Sequence, residues 1–315
     1  MDFADSRAMS EPSALAWGTM DTSSDEEGAP MDRNNPTLRG EHLGEELHRL
    51  REDAELTLAF AGGHVDVSGP TLCRVEAGKR SMRFEDVAGL LTLYKVNGER
   101  RTALLEIARQ ADKRGWTLRT SQAQNVRTLR KLEGKATKIV EYSPQLIPGL
   151  LQTTPYMLAL FQEAGGLTED QATDRMTNRL QRQQTLRYPV TEYIALIEED
   201  ALRRRVGGWR VLREQLTYLT EAAAKPKISI RIVPNLDRAH GGLYSGGYLR
   251  FHLPDRTNGV VHVDDLVYSQ FFEEEDDVKS YDRVTEDLLA LALDDKDSVK
   301  LIASIADDLK GEATT

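Results

Sequence analysis

The amino-acid sequence predicts a protein that is mainly α-helical with a smaller α+β portion. Apolar residues recur at helical spacing from Leu43 to Ala108, whereas the runs predicted as strands begin at Tyr193. The length of 315 residues exceeds one ordinary domain, so we expect two packed domains. No stretch approaches the roughly 18 uninterrupted apolar residues of a membrane helix, which excludes a membrane-spanning protein.

Changes in composition along the chain predict its domain organisation. Residues 1–37 carry eight acidic residues against two basic ones and have no periodic apolar face, which predicts a disordered acidic tail. A five-helix domain is predicted over residues 38–115, followed by a basic linker over residues 116–137. A second domain is predicted over residues 138–310, and residues 311–315 form a short tail.

Charge and cysteine content limit the function classes. The net charge is −10, but the acidic tail alone contributes −6, so the overall sign does not exclude a nucleic-acid partner. Cys73 is the only cysteine, which excludes intramolecular disulfides and thiolate metal clusters. Because the N-terminus also lacks a basic region followed by an apolar one, we expect a cytoplasmic protein.

The first domain begins with three helices that the sequence defines locally. Leu43, Leu47 and Leu50 recur at i, i+4 and i+7, which predicts one apolar helix face. Thr57 and Ser68 are suitable N-caps for a second and a third helix. Two further helices are predicted from the apolar positions that follow, so the domain is all-α.

The spacing of the second and third helices fits a helix-turn-helix layout and an ordinary helical bundle equally well. Gly78 lies where a left-handed residue would end the third helix. In this layout the third helix enters the major groove of DNA, and cations after the turn contact phosphates. The candidate DNA-binding residues are Thr71, Arg74, Lys79, Arg80 and Arg83.

Two residues of the third helix allow a second interpretation. Arg74 either reaches a guanine or phosphate, or pairs with Glu76 to fix the domain. Cys73 fits a small packing residue better than a redox switch, because the sequence offers nothing except the helix to activate the thiol.

The second domain combines long helices with strands. We expect a small, mainly antiparallel sheet with helices on one face. Residues 273–277 are all acidic and precede a helix, which predicts a solvated helix start, with a docking surface for a basic partner as the alternative. The predicted strands are residues 193–197, 228–233, 248–252, 260–263 and 266–271.

Several motifs resemble known regulators. Residues 43–96 contain Leu43-Gly44-x-x-Leu47-x-x-Leu50-Arg51, Leu56-Thr57 and Leu72-Cys73-Arg74-Val75-Glu76-Ala77-Gly78-Lys79. This segment resembles the helix-turn-helix of the XRE (phage-repressor-like) family. The rest contains Ile147-Pro148-Gly149-Leu150-Leu151-Gln152-Thr153, Tyr156 and Arg179-x-x-Arg182-Gln183. It resembles the large C-terminal domain of bacterial toxin–antitoxin-like (Scr-type) regulators.

The resemblance implies a dimeric DNA-binding regulator whose C-terminal domain receives a signal or a small partner protein. The chain departs from the XRE pattern at Leu58, where a polar residue usually touches phosphate. Gly69 and Pro70 open the third helix and cannot make bidentate base contacts. These departures put the strength of DNA binding in doubt.

A second hypothesis assigns function to the C-terminal domain alone. A regulator-like protein that has lost DNA binding could bind or transform a small molecule in biosynthesis. His252 and His262 lie in adjacent predicted strands and could be cross-strand neighbours; the alternative is a set of satisfied polar residues on a half-exposed sheet. The candidate pocket residues are Tyr156, Arg182, His240, His252, His262 and Asp264.

We favour the first hypothesis, a sequence-specific, non-enzymatic XRE-type transcriptional regulator. Its expected partners are double-stranded DNA, a second copy of the chain, and a small-molecule effector or small partner protein, with no membrane. No phosphate-binding loop, dinucleotide fingerprint or helical His pair with a matching carboxylate occurs, so we expect no cofactor and no metal.

Overall fold

The computed structural model describes residues 37–111, 116–118, 122–163, 167–186, 191–236, 238–264 and 269–311. The predicted acidic tail, apart from Thr37, lies outside these residues. The first five helices are α1 (Leu38–Asp53), α2 (Leu58–His64), α3 (Gly69–Glu76), α4 (Phe84–Leu93) and α5 (Gly98–Arg109). The others are α6 (Gln122–Lys135), α7 (Thr154–Glu163), α8 (Glu169–Gln183), α9 (Glu199–Arg203), α10 (Gly208–Ala223), α11 (Gly242–Ser245), α12 (Glu275–Leu291) and α13 (Asp295–Gly311). The strands are β1 (Trp116–Leu118), β2 (Lys138–Ser143), β3 (Glu192–Glu198), β4 (Ile228–Val233), β5 (Tyr248–Leu253), β6 (Arg256–Asp264) and β7 (Ser269–Phe272).

Local signals set the boundaries of the N-terminal helices. Thr57 Oγ1 accepts a hydrogen bond from the Phe60 amide at 3.2 Å and caps α2. Ser68 Oγ accepts one from the Thr71 amide at 3.4 Å and caps α3. Gly78 follows α3 with φ +68°, a backbone conformation in which a side chain would be strained. The five predicted helices of this domain are all present.

α1 and α3 approach each other closely at a glycine. A Cβ at Gly44 would lie 2.3 Å from the Val75 carbonyl oxygen, so only glycine fits there. Leu47 of α1 and Leu72 of α3 are fully buried beside this contact. Because a backbone carbonyl cannot yield as a flexible side chain can, α1 holds α3 in a fixed position.

The strands form one mixed sheet in the order β1-β7-β6-β5-β2-β3-β4. β2, β3 and β4 pair in parallel, and the remaining pairs are antiparallel. Val140 of β2 lies opposite Ile194 of β3 on one side and Arg250 of β5 on the other. The fold class is therefore as predicted, mainly α with a smaller α+β portion that contains a mainly antiparallel sheet.

Helices cover both faces of the sheet, so the expectation of helices on one face is wrong. α6, α7, α10 and α13 pack on the first face, which includes Ile139. α12 packs on the second face, which includes Val140 and Leu196. The central strands bury apolar side chains on both sides, and each side needs a cover that excludes water.

The predicted basic linker is also wrong over its greater part, because residues 122–135 form α6. Leu129 and Leu132 are buried in the core of the second domain. They lie at i and i+3, on one face of the helix. β2 follows at once and was not predicted as a strand. No described helix is long and apolar enough to cross a membrane.

Candidate functional site

The segment from α3 to the start of α4 presents its predicted DNA-binding residues to solvent. Leu72 and Val75 are buried, so α3 is anchored by one face. Cys73, which we expected to pack, is exposed instead. The exposed cations of the segment are Arg74, Lys79, Arg80 and Arg83.

The predicted DNA-binding residues differ in the hydrogen bonds and ion pairs that they already form within the protein. Thr71 is half-buried, and its Oγ1 accepts a hydrogen bond from Ser68 Oγ at 2.9 Å. Arg83 forms a two-bond ion pair with Asp86, both distances being 2.9 Å. The cations that form no ion pair with any described carboxylate are Arg74, Lys79 and Arg80.

Glu76 pairs with Arg51 rather than with Arg74, so the proposed Arg74–Glu76 pair is wrong. Arg51 Nε lies 2.8 Å from Glu76 Oε1, and Nη2 lies 3.0 Å from Oε2. The two side chains are 7% and 5% exposed. His48 Nδ1 lies 2.8 Å from the same carboxylate. Glu76 therefore ties the end of α3 to α1 and leaves Arg74 available.

A cavity of about 460 Å³ lies in the second domain, where β2 ends. Its walls come from β2 and the loop that follows, from α6, α7 and α8, and from the adjacent ends of β5 and β6. The lining residues with polar or charged side chains are Glu141, Tyr142, Ser143, Gln145, Gln152, Arg179, Arg182, Tyr248, His262 and Asp264.

Two carboxylates near this cavity already have partners. Arg182 Nη2 and Nε donate to Glu133 Oε1 at 2.6 and 2.9 Å. Glu141 accepts hydrogen bonds from the Tyr193 hydroxyl at 2.6 Å and the Gly149 amide at 3.3 Å. Burial raises the pKa of the Glu141 carboxyl, because a low-dielectric environment disfavours its charge.

Arg179 has a different environment from Arg182, one helical turn away. Its Nη1 donates to Gln152 Oε1 at 2.6 Å, and its guanidinium lies 5.2 Å from the centre of the Phe161 ring. Burial, together with the charge of Arg182, lowers the pKa of Arg179 to about 10. No described carboxylate forms an ion pair with it.

His262 lies on the cavity wall and is 2% exposed. Its ring packs on Phe271 with centroids 4.7 Å apart. Burial, and to a lesser degree the charge of Arg182, lowers its pKa to about 3, so the imidazole is neutral near pH 7. Its buried Nε2 has no hydrogen-bond partner among the described residues.

A family model described as a domain of unknown function, DUF5753, matches residues 126–304, which is more than half of the chain. The chain belongs to the DUF5753 family. A second model, described as a helix-turn-helix domain, matches residues 42–104. The DUF5753 match includes α6 from residue 126 onward and the whole cavity, and the helix-turn-helix match includes α3.

A similar solved structure is TrmBL2, described as an archaeal chromatin protein that shows a novel mode of DNA binding. It is 12% identical over 80% of this chain and 93% of that chain, with a TM-score of 0.29. So slight a likeness carries no argument about this protein. No curated protein matches the chain significantly.

The DUF5753 domain brings together half of the predicted pocket residues. Arg182, His262 and Asp264 line the cavity. Asp264 is exposed and accepts a hydrogen bond from Ser269 Oγ at 2.5 Å. Among the described residues, no group of three or more His, Cys, Asp or Glu is placed to hold a metal ion.

The other predicted pocket residues lie elsewhere. Tyr156 is fully buried in the core. His240 lies 3.4 Å from Glu198, away from the cavity lining. His262 pairs with Leu249, whereas His252 lies three residues further along β5, where the register shifts. The two histidines are therefore not cross-strand neighbours, and that prediction is wrong.

Sequence reasoning missed several cavity residues, among them Arg179, Gln152 and Glu141. The first two belong to motifs that carried the family resemblance, so a signal for them was present. The spacing of Arg179 and Arg182, at i and i+3, places both on one face of α8. Glu141 carried no such signal, because its strand was not predicted.

Buried ion pairs connect the DUF5753 domain to the helix-turn-helix domain. Arg256 of β6 contacts both Glu41 of α1 and Glu273, which follows β7; its Nη2 lies 2.6 Å from Glu41 Oε1. Glu273 also accepts a hydrogen bond from the Leu38 amide at 3.0 Å. Glu273, the first residue of the acidic run, is therefore buried and caps α1. The other four acidic residues, 274–277, are exposed at the start of α12, as the predicted solvated helix start requires.

α6 adds a second connection between the two domains. Lys131 lies 2.5 Å from Glu41 and 2.8 Å from Glu45, both on α1. Leu129 and Glu133, on the same helix, respectively line the cavity and bind Arg182. One helix thus contacts both the cavity and α1, which in turn packs on α3 at Gly44.

Proposed function

We propose that this protein is a sequence-specific DNA-binding transcriptional regulator whose α3 lies in the major groove. The observation that carries the proposal is the exposed, unpaired set of Arg74, Lys79 and Arg80 at the end of α3, within a segment that matches a helix-turn-helix domain. Free cations at this position can neutralise phosphates without breaking an internal ion pair.

The opening of α3 limits how bases can be read. Gly69 and Pro70 have no polar side chain, and Thr71 Oγ1 already accepts a hydrogen bond from Ser68. Discrimination between bases then rests mainly on Arg74, whose guanidinium can make a bidentate contact with guanine. The Thr71 methyl group can contact a thymine methyl.

The proposed function includes a homodimer on DNA and a response to a small-molecule signal. A homodimer would place two α3 helices in successive major grooves, about 34–36 Å apart. A small molecule in the DUF5753 cavity would act through α6, because that helix contacts both Arg182 and α1. It would change DNA affinity only if it bound the DNA-competent and incompetent arrangements differently. Pairing with a small partner protein, as the Scr-type resemblance implies, stays a prediction.

The test is a titration with the promoter DNA of the protein's own gene and with a scrambled duplex, between about 50 and 200 mM salt. We expect tighter binding of the promoter, a steep fall in affinity with salt, and loss of the preference in Arg74→Ala. Arg210→Ala is the matched control, because Arg210 is an exposed arginine of α10 in the other domain. A folded protein that binds neither duplex at low salt would contradict the proposal.

A further inference from the structure

The cavity of the DUF5753 domain contains a half-buried cation, Arg179, that forms no ion pair with a described carboxylate. Gln152 Oε1 is the hydrogen-bond acceptor that the described residues offer to Arg179, and it belongs to a neutral amide. Burying a charge costs free energy unless an opposite charge compensates it. Arg182, on the same helix, has its compensation in Glu133. Arg179 does not.

Gln152 is itself fixed, which holds Arg179 in place. The side-chain Nε2 of Gln152 donates to the Ile147 backbone carbonyl at 2.7 Å. The backbone carbonyl of Gln152 accepts a hydrogen bond from Gln183 Nε2 at 2.8 Å. Phe161 supports the guanidinium from one side. A guanidinium with a fixed position offers its remaining N–H groups as a fork, the geometry that carboxylates and phosphates accept.

Other residues of the cavity wall indicate the polarity and the size of the ligand. Leu129, Leu146 and Leu160 contribute apolar surface. His262 offers a buried Nε2 that has no described partner. The volume of about 460 Å³ is within the range of cavities that hold small organic molecules.

We propose that this cavity binds a small organic acid whose carboxylate or phosphate pairs with Arg179, with its apolar body against the leucines and a polar group hydrogen-bonded to His262. The inference rests on the proposed function insofar as the acid is the effector, but the binding itself requires no DNA. The guanidinium of Arg179, which forms no ion pair, and the unpartnered His262 Nε2 are two independent observations that point to a polar ligand in this cavity.

The test uses the full chain and small probes without DNA. Binding of benzoate, phenyl phosphate and the neutral benzamide is measured by saturation-transfer NMR at equal ionic strength. We expect benzoate or phenyl phosphate to bind and benzamide not to bind. Arg179→Met should weaken binding by about 10–100-fold, the loss expected for a charge-assisted pair. Arg179→Lys, which keeps the charge but loses the fork, should also weaken it.

A structural role for Arg179 predicts a different result. If Arg179 only stabilised the fold, Arg179→Met would lower the melting temperature without ligand. Because the substitution removes a half-buried charge that no ion pair compensates, we expect this melting temperature to stay the same or rise. Arg74→Ala should retain probe binding even if it abolishes DNA binding, so the two proposals fail separately. If only benzoate binds, the acidic group of the ligand is a carboxylate. If only phenyl phosphate binds, the acidic group is a phosphate. Binding of neither, equal binding of benzamide, or full binding by Arg179→Met would overturn the inference.

Discussion

Replacing Glu76 by alanine should destabilise the helix-turn-helix domain strongly. The substitution removes the carboxylate that holds Arg51 through two hydrogen bonds, of 2.8 and 3.0 Å. Arg51 is 7% exposed, so its charge would remain buried without this anion. Breaking a buried pair from one side costs about 3–5 kcal/mol. Glu52 still lies 2.7 Å from Arg51 and is 59% exposed, so we expect a loss near the lower limit, about 3 kcal/mol.

The assay is urea denaturation of the full chain, followed by far-ultraviolet circular dichroism. Glu85→Ala is the control, because Glu85 is an exposed glutamate in the first turn of α4 and should cost only about 0.3–1 kcal/mol. The double variant Arg51→Met/Glu76→Leu should recover most of the loss, since apolar residues of similar volume replace the pair. A cost below about 1 kcal/mol for Glu76→Ala, or a double variant as unstable as the single one, would refute this reasoning.

Two further predictions concern the domain contact and the exposed face of α3. The pKa of the Glu41 carboxyl is lowered: burial alone would raise it, but Lys131 and Arg256 outweigh that effect. The stabilisation that the Glu41 carboxylate contributes should therefore be fully present above its ordinary pKa of 4.5. It should be lost as the pH falls through the lowered pKa of the folded protein. Arg256→Met should reduce this dependence, measured by urea denaturation at a series of pH values; an unchanged dependence would exclude Arg256 as a cause. Cys73 should react with a maleimide in the folded protein, and saturating promoter DNA should slow that reaction; an equal rate would place α3 outside the groove.

The parts of the fold that the sequence predicted well are those with local determinants. The caps Thr57 and Ser68 and the left-handed Gly78 act within a few residues of the boundaries that they set. The five N-terminal helices could therefore be predicted without knowledge of what packs on them.

The parts of the fold that could not be predicted from the sequence depend on residues far away in the chain. Basic residues on α6 suggested a solvated linker, although Leu129 and Leu132 lie one turn apart on its buried face. β2 is a strand because β3 and β5 flank it, and neither pairing can be inferred from six residues. The positions of His252 and His262 relative to each other depend on register, which places His262 opposite Leu249.

The order of the strands has a consequence for the time course of synthesis. β2 is central in the sheet, but its partner β5 leaves the ribosome more than a hundred residues later. The carboxylate that caps α1 comes later still, since Glu273 is 235 residues downstream of Leu38. The helix-turn-helix domain can form its own core early, because its contacts are local. The nascent chain therefore carries a folded DNA-binding module before the cavity exists, and it gains its full set of contacts only when synthesis is nearly finished.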